Sequence, residues 1–266
     1  MKIYITADIE GVTGAAHWDE TNKSHADYAE FGEQMTAEVA AACEGASNAG
    51  ATEVWVKDAH WTGRNIIPAK LPREVRLIRE WSGHPFSMVQ ELDETFAAAL
   101  AIGYHSRAGS NGSPLAHTMT GNVTYVKING QYASEFTIAA YTAGLVRVPM
   151  VFLSGDAGIC EEAQALIPSL STVAVKHGVG NSTVNIHPHL AVEQIRAGVE
   201  AALKADVSKC HVPLPGHFAV EVYYRNHHDA YHVSFFPGAR LVGPHTVGFE
   251  ADDYFEVLRF FSFGLV

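Results

Sequence analysis

The first apolar run, residues 2–7, is short and leads into the turn-rich Gly11-Val12-Thr13-Gly14, the pattern of a buried strand entering a loop. Residues 27–48 are rich in Ala with Glu and Gln and stop before Gly50, which predicts a helix with a glycine terminus. Residues 52–57 alternate as a second strand. Strand, crossover helix and strand in this order make a parallel βαβ unit, so the strand ends at Asp8 and Asp58 are expected to face the same way.

The same reading predicts strands at residues 75–78 and 98–103, the latter running into Tyr104-His105 although its alanines also suit a helix. Residues 123–128, the Asn129-Gly130 turn and residues 131–132 predict a hairpin. Helices are expected at residues 135–143, 159–166, 188–205 and 252–261, and strands at 150–154, 171–176 and 218–224. The alternation implies an α/β fold: a three-layer domain with a largely parallel central sheet. Pro213 and Pro215 mark the expected boundary between a main α/β metal-binding domain, 1–212, and a smaller carboxyl-terminal α+β part, 213–266. The tail at residues 260–266 is apolar enough to be expected against the protein or another subunit.

Composition narrows the class. With 266 residues, 47% of them apolar and 18% charged, the chain can bury a substantial core and has the make-up of a folded globular protein. A formal charge of -11, with 18 Lys plus Arg and no basic cluster, argues against a nucleic-acid partner. Cys43, Cys160 and Cys210 offer neither a disulfide framework nor a Cys-x-x-Cys knuckle, which fits a reducing compartment. The opening lacks a signal peptide's apolar stretch, and no apolar run reaches the 18 residues of a membrane span, so a cytoplasmic protein without a membrane partner is expected. Fifteen histidines are the unusual count and direct attention to metals.

Asp8 and Glu10 lie two residues apart at a strand end, a spacing that puts both carboxylates on one side if the extended geometry continues. Crowded acids repel unless one is protonated or a cation lies between them. A capping Asp8 and a solvent-facing Glu10 are the plain alternative. His60 and His105 follow other strands and Glu135 opens a helix, each at an element boundary in the same half of the chain, although a loop, a core hydrogen bond or a favourable first helical turn would also explain them singly. Asp58 is placed either to orient His60 or to organise a turn. Residues 178–183 lack the Gly-Lys-Ser/Thr ending of a phosphate loop and are expected to line a substrate pocket. The histidines at 187, 189, 227, 228 and 232 read as surface, cap or interface groups, and Cys160 has no histidine at a readable spacing for a cysteine peptidase.

Thr6-Ala7-Asp8-Ile9-Glu10-Gly11, Lys57-Asp58-Ala59-His60, His84-Pro85-Phe86-Ser87-Met88-Val89, Gly103-Tyr104-His105-Ser106-Arg107-Ala108, Ala116-His117-Thr118-Met119, Ser134-Glu135 and Ala174-Val175-Lys176 occur in this order. Together they resemble the DppA-type D-aminopeptidase family, whose members are dinuclear zinc peptidases, over nearly the whole chain. Thr6 stands where the family opening typically carries serine, and the carboxyl-terminal third matches less closely. The resemblance implies metal ligands at Asp8, Glu10, His60, His105 and Glu135, with Asp8 as the bridge, and a catalytic histidine at His117. It implies two Zn2+ per subunit, a set of O and N ligands that Mn2+ or Co2+ also suits. Such a pair lowers the pKa of a bridging water, and the hydroxide would attack a peptide carbon. His117 would then help the oxyanion or protonate the leaving amine. The implied activity is aminopeptidase action on short peptides with amino-terminal D-residues, in a homodecamer of two pentameric rings. A metal-dependent amidase acting on small non-peptide amides is the alternative, and a non-catalytic metal or small-ligand binding protein is a further one.

Overall fold

The computed structural model describes residues 1–265. In chain order run β1 (Lys2–Ala7), the short α1 (Trp18–Thr21), α2 (Tyr28–Asn48), β2 (Glu53–Asp58), β3 (Val75–Ile78), β4 (Ala98–Tyr104), β5 (Val123–Ile128), β6 (Gln131–Tyr132), α3 (Glu135–Leu145), β7 (Met150–Asp156), α4 (Ala157–Leu166), β8 (Ser171–Val179), β9 (Ser182–Asn185), α5 (Pro188–Lys204), β10 (Phe218–Tyr224), α6 (His227–Val233), β11 (Arg240–Gly243), β12 (Thr246–Ala251) and α7 (Tyr254–Gly264).

A seven-stranded sheet has the order β3-β2-β1-β4-β7-β8-β9, parallel throughout except for β9. From β1 the chain crosses to β2 on one side, and from β4 it crosses to β7 on the other. Right-handed crossovers in opposite directions put α2 on one face and α3 with α4 on the other, and α5 packs along α2. Every residue of β4 and β7 is buried, as strands covered on both faces require. The change of direction falls between β1 and β4, the place where open α/β sheets collect ligands at their carboxyl ends.

A second, antiparallel sheet has the order β11-β12-β10-β5-β6. Its alternation is one-sided: Phe218, Val220, Val222 and Tyr224 of β10 are buried and pack with Val257, Leu258, Phe260 and Phe261 of α7 in a separate core. The hairpin β5–β6 belongs to this sheet although it lies in the middle of the chain, so the smaller α+β part is completed by residues from well before Pro213. Phe260, Phe261 and Leu265 of the apolar tail are buried and Phe263 is 66% exposed; Val266 lies outside the described residues. Among the described residues no helix is long and apolar enough to cross a membrane.

Several elements depart from the sequence expectation. α4 begins at Ala157 because the Asp156 carboxylate accepts from the Ile159 amide at 2.9 Å and caps it. The strand expected at 171–176 continues to Val179 and turns back through Gly180-Asn181 into β9, so residues 178–183 are an edge hairpin. They do not line the cavity described below, which corrects that expectation. The reason is local: β-branched Val179, Thr183 and Val184 favour extended pairing, and Gly180 supplies the positive φ of the turn.

Two glycines let the site's strands meet. The Gly11 amide donates to Gly103 O at 2.8 Å, and a Cβ on Gly11 would lie 1.8 Å from Tyr104 O. Gly103 has φ +70, and a Cβ there would lie 2.3 Å from Asp8 O. Gly11→Ala therefore forces backbone apart. It is expected to cost at least about 3 kcal/mol, the upper end for overpacking, read as a lower urea midpoint in circular dichroism; an unchanged midpoint would contradict this close approach.

Candidate active site

The register of the parallel strands assembles the site. Ala7 pairs with Asp58 on one side and Ile102 on the other, so the loops after β1, β2 and β4 leave the sheet at one level. Asp8 and Glu10 follow β1, His60 follows β2 and His105 follows β4 directly. Glu135 is the first residue of α3, capped by Ser134, and His117 comes from the segment between β4 and β5. All six side chains predicted from sequence are thereby brought to one place, and all but the partly exposed His117 are buried.

Asp8 lies between two imidazoles, with Oδ1 3.2 Å from His60 Nδ1 and Oδ2 3.4 Å from His105 Nε2. Glu10 Oε2 is 3.0 Å from His60 Nδ1, and Glu135 Oε2 is 3.4 Å from His105 Nε2. His117 stacks on His105 with ring centroids 4.2 Å apart, its Nε2 3.6 Å from Glu135 Oε1.

The outer nitrogen of each ring is committed to the backbone. His60 Nε2 is 2.9 Å from Thr21 O, His105 Nδ1 is 2.9 Å from Ser106 O, and His117 Nδ1 is 2.9 Å from Leu115 O. A carbonyl can only accept, so each of these nitrogens carries the proton. The inner nitrogens, His60 Nδ1, His105 Nε2 and His117 Nε2, then turn lone pairs toward carboxylates. Only a second proton on each ring or a cation between them relieves that opposition. His105 Nε2 and Glu10 Oε2 are buried without a hydrogen bond, in spite of their near neighbours.

Electrostatics follow. Burial pushes the Asp8 carboxyl up, but the facing His105 and His60 outweigh it and hold it well below the usual carboxylate range. Burial disfavours the imidazolium forms of His60 and His105; Glu10 with Asp8, and Glu135 with Asp8, more than reverse this and raise both. Glu135 is lowered by His105 and His117 against its own burial. One ligand atom from each of Asp8, Glu10 and His105, and again from each of His105, His117 and Glu135, lie within 4.8 Å of one another, so each group could hold a metal ion. The second group puts His117, expected only as a catalytic group, within reach of a cation as well.

Surrounding residues hold these side chains. Asp58 accepts from the Asn65 and Ile66 amides at 2.5 and 2.7 Å and from Asn65 Nδ2 at 2.9 Å, and Asn65 Nδ2 also reaches His60 O. Of its two expected roles it therefore takes the turn, the one that carries His60. Glu135 Oε1 accepts from the Met119 amide at 2.6 Å, which leaves Oε2 for His105. Asp156 accepts from Ser106 N and Oγ at 2.7 and 2.5 Å and fixes the turn after His105. Buried Lys176 donates to Glu10 O and Ala15 O, and buried Glu38 accepts from Thr13 N at 3.0 Å. The sequence reading gave Asp156, Lys176 and Glu38 no role. Asp156 ends a strand like Asp8 and Asp58, a signal that could have found it; the other two make contacts far along the chain that no local pattern encodes.

The cluster opens into a cavity of about 850 Å³ whose wall includes Trp18, Trp61, Trp81, Met119 and Arg225. None of these was a candidate, since an aromatic beside a cavity has the same sequence signature as one in a core. The histidines at 187 and 227–232 lie outside it: His187 caps α5, and residues 227–232 lie on α6.

Known proteins match this chain in both sequence and fold. The profile of the D-aminopeptidase family, peptidase M55, matches residues 1–263. A D-aminopeptidase of Bacillus subtilis (strain 168) is 33% identical over 263 residues, covering 97% of this chain and 94% of the relative. A solved structure described as the Zn-dependent D-aminopeptidase DppA from Bacillus subtilis, a self-compartmentalizing protease, superposes with a TM-score of 0.91 at 31% identity, covering 98% of this chain and 95% of that one. With the family profile spanning almost its full length, the chain belongs to the peptidase M55 family of D-aminopeptidases.

Proposed function

We propose that this chain is a cytoplasmic metallo-aminopeptidase that removes amino-terminal D-residues from short peptides, with Asp8, Glu10, His60, His105 and Glu135 holding two zinc ions and His117 acting on the leaving group. The observation that carries the reading is the opposition of lone pairs and carboxylates in one buried cluster, where His105 Nε2 and Glu10 Oε2 have no hydrogen bond. Mixed carboxylate and imidazole donors fit zinc, and Mn2+ or Co2+ suits the same set. Asp8 presents one oxygen to each half of the cluster, the arrangement a bridging carboxylate needs. When bound, such a pair supplies Lewis acidity, polarising a carbonyl and making water nucleophilic near neutral pH.

The chain's own groups do the rest. Leu115 O keeps the His117 proton on Nδ1, so Nε2 is the atom that exchanges protons at the cavity. Stacking on His105 and an edge contact with Trp18, ring centroids 5.2 Å apart, hold that ring in place. Trp61 and Trp81 border the cavity and offer aromatic faces to a bound peptide. Exposed aromatics at Tyr231, Phe235 and Phe263 support assembly, for which we propose the homodecamer of two pentameric rings implied by the family. The solved relative is itself described as self-compartmentalizing.

Asp8→Ala is expected to abolish turnover and lower bound zinc from two ions toward one or none, measured by elemental analysis beside kinetics; unchanged metal content with unchanged turnover would sink the ligand assignment. For His117→Ala the metal is expected to stay while kcat falls by about 10²–10⁴-fold, the range for a proton-transfer group, and normal turnover would remove His117 from the mechanism. The substrate is tested with D-Ala-Gly, L-Ala-Gly and simple amides. Faster release of D-Ala than of L-Ala is expected, whereas cleavage of the amides alone would favour the amidase reading.

A further inference from the structure

Three carboxylates, Asp8, Glu10 and Glu135, meet at the deep end of the cavity, and Arg225 is its only Lys or Arg wall residue among those described. The two charges come from different parts of the fold. The acids belong to loops of the parallel sheet, while Arg225 directly follows β10 of the antiparallel sheet.

Its backbone is fixed where β10 shifts register at Tyr223/Tyr224. The Arg225 amide donates to Asn122 O at 2.8 Å, and the preceding Tyr224 amide donates to His245 O at 2.8 Å. Asn122 adjoins Thr120 and Gly121, which line the same cavity, so the position of Arg225 relative to that wall is set by the fold. The side chain is exposed, and no carboxylate of the described residues lies within salt-bridge distance of it.

A short unblocked peptide is also charged at both ends. At neutral pH it carries an ammonium and a carboxylate; with its amino end and scissile bond held at the cluster, the carboxylate falls on a different wall, where a cation complements it. A guanidinium gives paired parallel donors that match a carboxylate. We propose that Arg225 recognises the carboxyl terminus of the substrate, favouring peptides with a free carboxylate over carboxyl-amidated ones. This rests on the peptidase reading and adds to it a residue that selects a free carboxyl terminus.

The test pairs D-Ala-D-Ala with D-alanyl-D-alaninamide, and in parallel their non-hydrolysable analogues with the peptide bond replaced by CH2–NH, titrated calorimetrically into the zinc-loaded protein. Arg225→Gln is expected to raise KM for the free acid, and Kd for its analogue, about tenfold, equivalent to about 1.4 kcal/mol, with the amide forms shifted far less. Arg225→Lys, which keeps the charge and loses the fork, is expected to fall between. An equal change for acid and amide, or none for either, overturns the proposal. If wild-type protein hydrolyses no peptide while the analogue acid still binds more tightly than its amide only when Arg225 is present, the carboxylate site stands and the peptidase reading falls.

Discussion

The site depends on a forced opposition: imidazoles whose outer nitrogens are tied to Thr21 O, Ser106 O and Leu115 O point their remaining nitrogens at buried carboxylates. Rings held by a backbone carbonyl cannot rotate away without leaving an N–H and a C=O unpaired inside the protein, at about 1–3 kcal/mol for each group. The opposition is therefore built into the backbone, and its relief must be supplied as positive charge. Asp8 is central, because its two oxygens face His60 and His105 separately and join what would otherwise be two clusters.

The architecture makes that convergence possible and then closes over it. Parallel pairing of β1 with both β2 and β4 sets the three strand ends level, and Gly11 and Gly103 let the loops beyond them approach more closely than side chains permit. The acids and imidazoles thus gather at the carboxyl end of the parallel sheet, while Arg225 comes from the second sheet with its own core.

Much of this was legible in the sequence for a physical reason. Residues 2–7, 52–57 and 98–103 read as short apolar strands, and Asp8 and Glu10, Asp58 and His60, and His105 stand where these strands stop. What stayed hidden depends on distant pairing. The β5–β6 hairpin was visible from Asn129-Gly130, but its membership of a sheet with β10 rests on contacts some 90 residues apart, such as Ala219 N to Asn129 Oδ1. The hairpin at 178–183 was misread because Gly178 and Gly180 resemble a ligand loop, whereas β-branched neighbours drive them into edge pairing. Trp18, Trp61, Trp81 and Arg225 share no periodicity, and only the folded cavity relates them.

Two buried lysines show why the cluster's compensation has to come from the cavity side. Burial brings Lys57 and Lys176 down to about 8, with nearby acids pulling the other way. Lys57 donates to Asp58 O and Glu80 O, Lys176 to Glu10 O and Ala15 O, all backbone carbonyls of loops around the site. Neither lysine forms a salt bridge with Asp8, Glu10 or Glu135. The cations behind the site are thus engaged in holding the loops, and the three carboxylates must be balanced from in front, by protons on His60 and His105 or by metal ions. Protons and metals compete for the same inner nitrogens. Metal dependence and the protonation of these histidines are consequently two readings of one charge balance, set by how the backbone directs the rings.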